Sequence, residues 1–140
     1  MTNAAVEGGC LCGAVRYRAA GEASHPTLCH CNSCRRAAGA PLVAWVTFPL
    51  AQFAFTKGAP ARYRSSPRVV RTFCPTCGTP LTYEHDSLPG TIDVTVASLD
   101  DPSAFPPADH TWTSEKIAWL ALGDGLPRHP RSRFEQTGRE

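Results

Sequence analysis

Apolar and polar positions alternate along most of this chain in short runs, and no run has the three-to-four spacing of a long helix. Ala14 to Arg18 places Val15 and Tyr17 on one face. Thr91 to Ala97 alternates more cleanly, with Ile92, Val94 and Val96 facing one way. Leu42 to Phe48 is β-branched and aromatic and reads as a core strand, followed by a second at Gln52 to Thr56. Lys57-Gly58-Ala59-Pro60 turns the chain, and Ser65-Ser66-Pro67 separates strands at Ala61 to Arg64 and Arg68 to Phe73. Pro80 to Glu84 alternates again. Strands this short, separated by turns, predict an all-β sandwich of packed sheets.

Three segments read differently. Gly21 to Pro26 is expected to be a loop, and Asp100 to Pro107 a proline-rich connection. Lys116 to Leu122 is a last apolar element centred on Trp119. Good helix formers cluster only at Ser33 to Ala38, so at most one short helix is expected there. Asn32 or Ser33 would cap it and Gly39-Ala40-Pro41 would stop it.

The 140 residues suit one domain, with a core over about 7–127 and a polar tail at 128–140 that frays at its end. Pro 13 and Gly 11 agree with many turns and against long helices. A net charge of +2, without a dense basic stripe, gives no support to nucleic-acid binding. The positive charge is almost all arginine, Lys57 and Lys116 being the only lysines. The start of the chain lacks a signal peptide pattern. The most apolar run, Ala40 to Phe55, is broken by Pro41, Pro49 and Gln52, so no membrane span is expected. The expectation is a soluble cytoplasmic protein whose thiols stay reduced.

Cysteine changes the picture. Seven fall into Cys10-x-Cys12, Cys29-x-Cys31-x-x-Cys34 and Cys74-x-x-Cys77. An odd number of reduced, closely spaced cysteines suits metal better than disulfides. Seven is four plus three, which matches closed four-ligand zinc and open three-ligand zinc. Cys10-Leu11-Cys12-Gly13 and Cys74-Pro75-Thr76-Cys77-Gly78 both end in Cys-Gly, as a knuckle does when backbone N–H groups turn toward sulfur. Cys10, Cys12, Cys74 and Cys77 are therefore assigned to a structural zinc, and Cys29, Cys31 and Cys34 to an open catalytic one, two zinc ions per chain. One closed site with spare cysteines is the alternative.

Three thiolates on a dication leave a formal charge of −1, a weak Lewis acid that favours binding a further thiolate over hydrolysis. Arg35 and Arg36 follow the trio at once and could receive a carboxylate of an anionic thiol, or lie on a solvated helix face. His30, between two ligands, is a candidate proton relay or could point away.

The pattern resembles the GFA family, the glutathione-dependent formaldehyde-activating enzymes. The likeness rests on Gly9-Cys10-x-Cys12-Gly13-x-Val15, Cys29-His30-Cys31-x-x-Cys34-Arg35 and Phe73-Cys74-x-x-Cys77-Gly78. It extends to Ala97-Ser98-Leu99-Asp100-Asp101-Pro102, Trp119 and Gly125-Leu126-Pro127, over roughly residues 7–130. The resemblance implies a zinc-bound all-β fold with the same division of cysteines. It also implies a carbon–sulfur lyase that joins glutathione, or a similar small thiol, to formaldehyde as S-hydroxymethylglutathione. Cys29, Cys31 and Cys34 would serve the reaction, with Arg35, Arg36 and His30 as substrate-binding candidates. The alternative is a non-catalytic zinc scaffold that binds a protein partner. Oligomeric state is left open.

Overall fold

The computed structural model describes residues 4–133. Among these residues the fold is all-β, with ten strands in two sheets and one short α-helix. The smaller sheet is antiparallel, ordered β1 (Val6–Gly9), β2 (Arg16–Ala19), β5 (Phe53–Lys57). The larger has seven strands in the order β10-β3-β4-β9-β8-β7-β6. These are β3 (Ser24–Cys29), β4 (Val43–Pro49), β6 (Ala61–Ser66), β7 (Val69–Phe73), β8 (Pro80–His85), β9 (Thr91–Thr95) and β10 (Asp109–Thr111). All its pairings are antiparallel except β10 with β3.

Alternation explains the main core. Tyr17 and Ala19 from the small sheet, with Val15 just before β2, pack with Val46, Phe48, Ile92 and Val94 from the large one, all buried; Leu81 joins them out of phase with Tyr83, at the register shift between β7 and β8. Each buried Val, Leu, Ile or Phe among them contributes about 1.5–3 kcal/mol over leaving it in water. Because alternate residues take opposite faces, Trp45, Thr47, Tyr83 and Asp93 are sent to the other side of the large sheet. There a second cluster gathers Val43, Trp45 and the three cysteines Cys29, Cys31 and Cys34.

The helix α1 (Asn32–Ala38) forms over the expected segment, capped by Cys31 where Asn32 or Ser33 was expected, and ends at Gly39, whose N–H donates to Arg35 O at 2.7 Å. Other segments depart from expectation. β3 begins inside the predicted loop. Pro26 has no N–H to give a ladder, His25 has φ 51°, and the register shifts between Ser24 and Thr27. Three polar residues form β10, so no apolar pattern announces it, yet all three are buried.

Lys116 to Leu122 forms no regular element. The Lys116 ammonium takes the carbonyls of Ile117 and Leu120 at 3.0 and 2.5 Å, folding the segment into a turn that leaves Trp119 73% exposed. The first part of the polar tail is bound to the body of the fold as far as Arg133. Backbone N–H groups of His110, Trp112 and Thr113 donate to Pro127, Arg131 and His129. Residues 134–140 of that tail lie outside the described residues. No helix among the described residues is long and apolar enough to cross a membrane.

Candidate metal centres and the cavity beside them

Two turns make the first cluster. Cys10 and Cys12 lie between β1 and β2, and Cys74 and Cys77 between β7 and β8. Their four sulfurs lie within 4.8 Å of one another. Cys10 Sγ accepts from Val15 N at 3.2 Å, while Cys74 Sγ accepts from Thr76 N at 3.3 Å and Cys77 N at 3.4 Å. Such bonds favour thiolate over thiol. Gly13 and Gly78 hold φ of 80° and 83°, the left-handed backbone each knuckle needs to turn back. Thr79 hydrogen bonds draw the Cys77 thiol down to about 5. Four soft sulfur donors at this spacing fit a tetrahedral thiophilic dication.

The second cluster is built by one strand end and one helix start. Cys29 closes β3; Cys31 caps α1, its Sγ accepting from Cys34 N at 3.2 Å; Cys34 sits in the first turn. All three are buried, with sulfurs within 4.8 Å of one another, and no fourth Cys, His, Asp or Glu joins them among the described residues. Hydrogen bonds with Cys29 and Cys31, helped by the Arg71 charge, hold the Cys34 thiol well below its ordinary value. The Cys29 thiol is raised well above it by hydrogen bonds with Cys31 and Cys34 and by burial. Three thiolates this close need a cation, and three sulfurs fit a dication that keeps one position for another ligand.

A cavity of about 300 Å³ opens directly on this trio, with Cys29 and Cys34 on its wall. Trp45, Tyr83 and Trp112 line it, together with Thr47, Asp93 and Arg133. Thr47, Asp93, Tyr83 and Arg71 are paired directly across β4, β9, β8 and β7, forming one polar row. Thr47 Oγ1 donates to Asp93 Oδ1 at 2.6 Å. Burial, with the Cys34 charge adding to it, pushes the Asp93 carboxyl up to about 6. Arg71 lies 5.0 Å over the Tyr83 ring and puts its guanidinium nitrogens 3.9 and 4.0 Å from Cys34 Sγ. Arg133 is bonded to Asp109 and, at 2.7 Å, to His25.

The candidates for substrate binding are placed elsewhere. Arg35 turns back on its own loop, reaching His30 O at 3.4 Å and Asn32 Oδ1 at 3.0 Å; Arg36 is exposed. Neither lines the cavity. His30 is fully buried and bonds through Nε2 to His110 Nδ1 at 2.9 Å, and His110 Nε2 meets Asp124 Oδ2 at 2.8 Å. That chain runs from the trio loop to the C-terminal segment. Burial lowers the His30 pKa to about 4, so the ring is neutral.

Arg71 and Asp93 belong to no motif that marks them as functional. Both stand in strands at positions that alternation reads as solvent-facing, because the pattern carries no sign that helix and C-terminal segment cover that face. The charge itself was the available signal, since each sits among β-branched neighbours.

Fold and clusters together define a class: a small all-β protein with one closed and one three-sulfur cysteine cluster. Within that class, the chain belongs to the GFA family, the sequence model described as glutathione-dependent formaldehyde-activating enzyme matching residues 5–115. It is 32% identical over 86 residues to an uncharacterized lyase of Schizosaccharomyces pombe, a match covering 56% of this chain and 57% of that protein. The chain thus spans little more than half the length of this curated relative. It is also similar to a Rhodobacter sphaeroides protein of known crystal structure, with a TM-score of 0.57 and 29% identity, over 67% of this chain and 87% of that one.

Proposed function

We propose that this protein is a zinc-dependent carbon–sulfur lyase of the cytoplasm acting on the aldehyde adduct of a small thiol. Glutathione and formaldehyde are the pair that the family suggests. Cys29, Cys31 and Cys34 would hold a catalytic zinc; Cys10, Cys12, Cys74 and Cys77 would hold a structural one. The observation that carries this reading is that the trio stops at three sulfurs among the described residues while Cys29 and Cys34 wall a cavity. A bound zinc there supplies a soft position that lowers the pKa of a substrate thiol.

The chain's own residues account for the rest. Trp45, Tyr83 and Trp112 exclude water from the approach to the sulfurs. Arg71 offsets the negative charge of the trio from the Cys34 side. In this reading Arg35 braces the loop between the ligands through His30 O.

Two measurements test the proposal. Metal analysis of purified protein should give two zinc ions per chain; one per chain overturns the division of sites. Exchange NMR on mixtures of glutathione and formaldehyde should show adduct formation and breakdown faster than background. No acceleration with glutathione or with other small thiols would leave a zinc scaffold as the better reading.

A further inference from the structure

The cavity holds a carboxyl group that metal ligation does not use. Asp93 projects from β9 onto the wall shared with Cys29 and Cys34. Among the described residues its carboxyl receives one hydrogen bond, from Thr47 to Oδ1, which fixes the group and leaves Oδ2 for a ligand. Thr47 of β4, paired with Asp93 across the sheet, holds the carboxyl in place through that bond, and Tyr83 of β8 is the neighbour on its other side. The charged and titratable groups that share the cavity with it are Cys29 and His25 of β3, Cys34 of α1, Tyr83 and Arg133.

Resting on the lyase reading above, we propose that Asp93 is the proton-transfer residue of this site, acting on the oxygen of the carbonyl group that a thiolate attacks. In the forward direction the thiol gives up its proton to solvent. Its sulfur lone pair forms the C–S bond, and the C=O π pair moves to oxygen. That oxygen takes the proton of the Asp93 carboxylic acid, and solvent reprotonates the carboxylate. In reverse, the carboxylate removes the hydroxyl proton, the carbonyl re-forms and the C–S pair returns to sulfur. Atoms and charge balance, and no oxidant or reductant enters. A carboxyl near 6 is matched to this work, because both of its forms are populated around neutral pH.

Zinc-loaded wild type, Asp93→Asn and Thr47→Val should be compared in the glutathione–formaldehyde exchange, in both directions and across pH. Asp93→Asn should lose on the order of 10²-fold in the turnover rate, while zinc content and calorimetric glutathione affinity stay unchanged. Wild type should show a limb near pH 6 in the breakdown direction that Asp93→Asn lacks. Thr47→Val removes a hydrogen bond that favours the carboxylate, so its limb should move upward. A third readout needs no turnover: the Asp93 side-chain carboxyl ¹³C resonance should titrate at about 6 or above. Full activity in Asp93→Asn, or titration in the ordinary carboxylate range, overturns the assignment while the lyase reading stands. If wild type gives no acceleration with glutathione or with other small thiols, the lyase reading falls and this role falls with it. Should Asp93→Asn fail to fold, an unmoved limb in Thr47→Val overturns the proposal alone.

Discussion

Arg71 is buried at 7% exposure, and what surrounds it explains why a charge is tolerated there. Its Nε donates to Ser65 Oγ at 3.1 Å, its plane lies over Tyr83, and its terminal nitrogens face Cys34 Sγ. A cation beside one ligand offsets part of the excess negative charge of three thiolates. Arg71→Met keeps much of the volume and removes that charge. The trio should then bind zinc about 10–100-fold more weakly. Competition with a chromogenic chelator should show one zinc released early and the other unaffected.

Asp93 gives a second test at the same scale, independent of catalysis. Its folded-state pKa is raised, so the stability linked to its protonated form is present below the unfolded value of 3.8 and lost as pH rises through about 6. Wild type should therefore lose on the order of 2–3 kcal/mol relative to Asp93→Asn between pH 4 and pH 7. Paired urea titrations of metal-free protein at the two pH values measure the difference. A gap that does not change with pH contradicts the raised carboxyl. The spacing of Cys29, Cys31 and Cys34 made the trio readable from sequence, whereas Asp93 and Arg71 were not. Their role depends on which face of the large sheet is covered, a tertiary fact that alternation cannot carry.

At the scale of elements, α1 is too short to stand alone, since seven residues lie below the length at which isolated helices persist in water. It is held by its cap and by the trio. The cap is unusual in kind: a ligand sulfur accepts the Cys34 N–H where Ser, Thr, Asp or Asn would ordinarily serve. Cys31 therefore has two roles that substitution can separate. Cys31→Ser keeps an accepting oxygen and loses the soft donor, whereas Cys31→Ala loses both. In metal-free protein the serine variant should be more stable than the alanine variant by about 1 kcal/mol by denaturant midpoint. Neither should hold the trio's zinc. Equal stability would mean that the sulfur does not cap the helix. The position of α1 and the strands β4 and β9 were legible because periodicity and stop signals agreed there. β3 and β10 were not, one hidden by Pro26 and the other by being wholly polar.

At the scale of the molecule, the two clusters tie together very different lengths of chain. Cys12 and Cys74 lie 62 positions apart and their sulfurs stand 3.8 Å apart, joining a turn of the small sheet to a turn of the large one. Cys29 and Cys34 are five positions apart and tie only β3 to α1. Closing a loop costs entropy that grows with the logarithm of its length, so a metal that holds the long loop closed relieves the folded state of more. A twelvefold difference in length corresponds to about 2 kcal/mol. Cys74→Ser should thus lower the stability of the zinc-loaded protein by about 2 kcal/mol more than Cys34→Ser, although each removes one sulfur. Cys34→Ser should in turn be the more damaging to activity, since its sulfur walls the cavity. Thermal unfolding beside the exchange assay reads both quantities on the same samples. Equal losses of stability and activity in the two variants would remove the distinction between a structural and a catalytic centre, because that distinction rests on what each cluster closes and what each one faces.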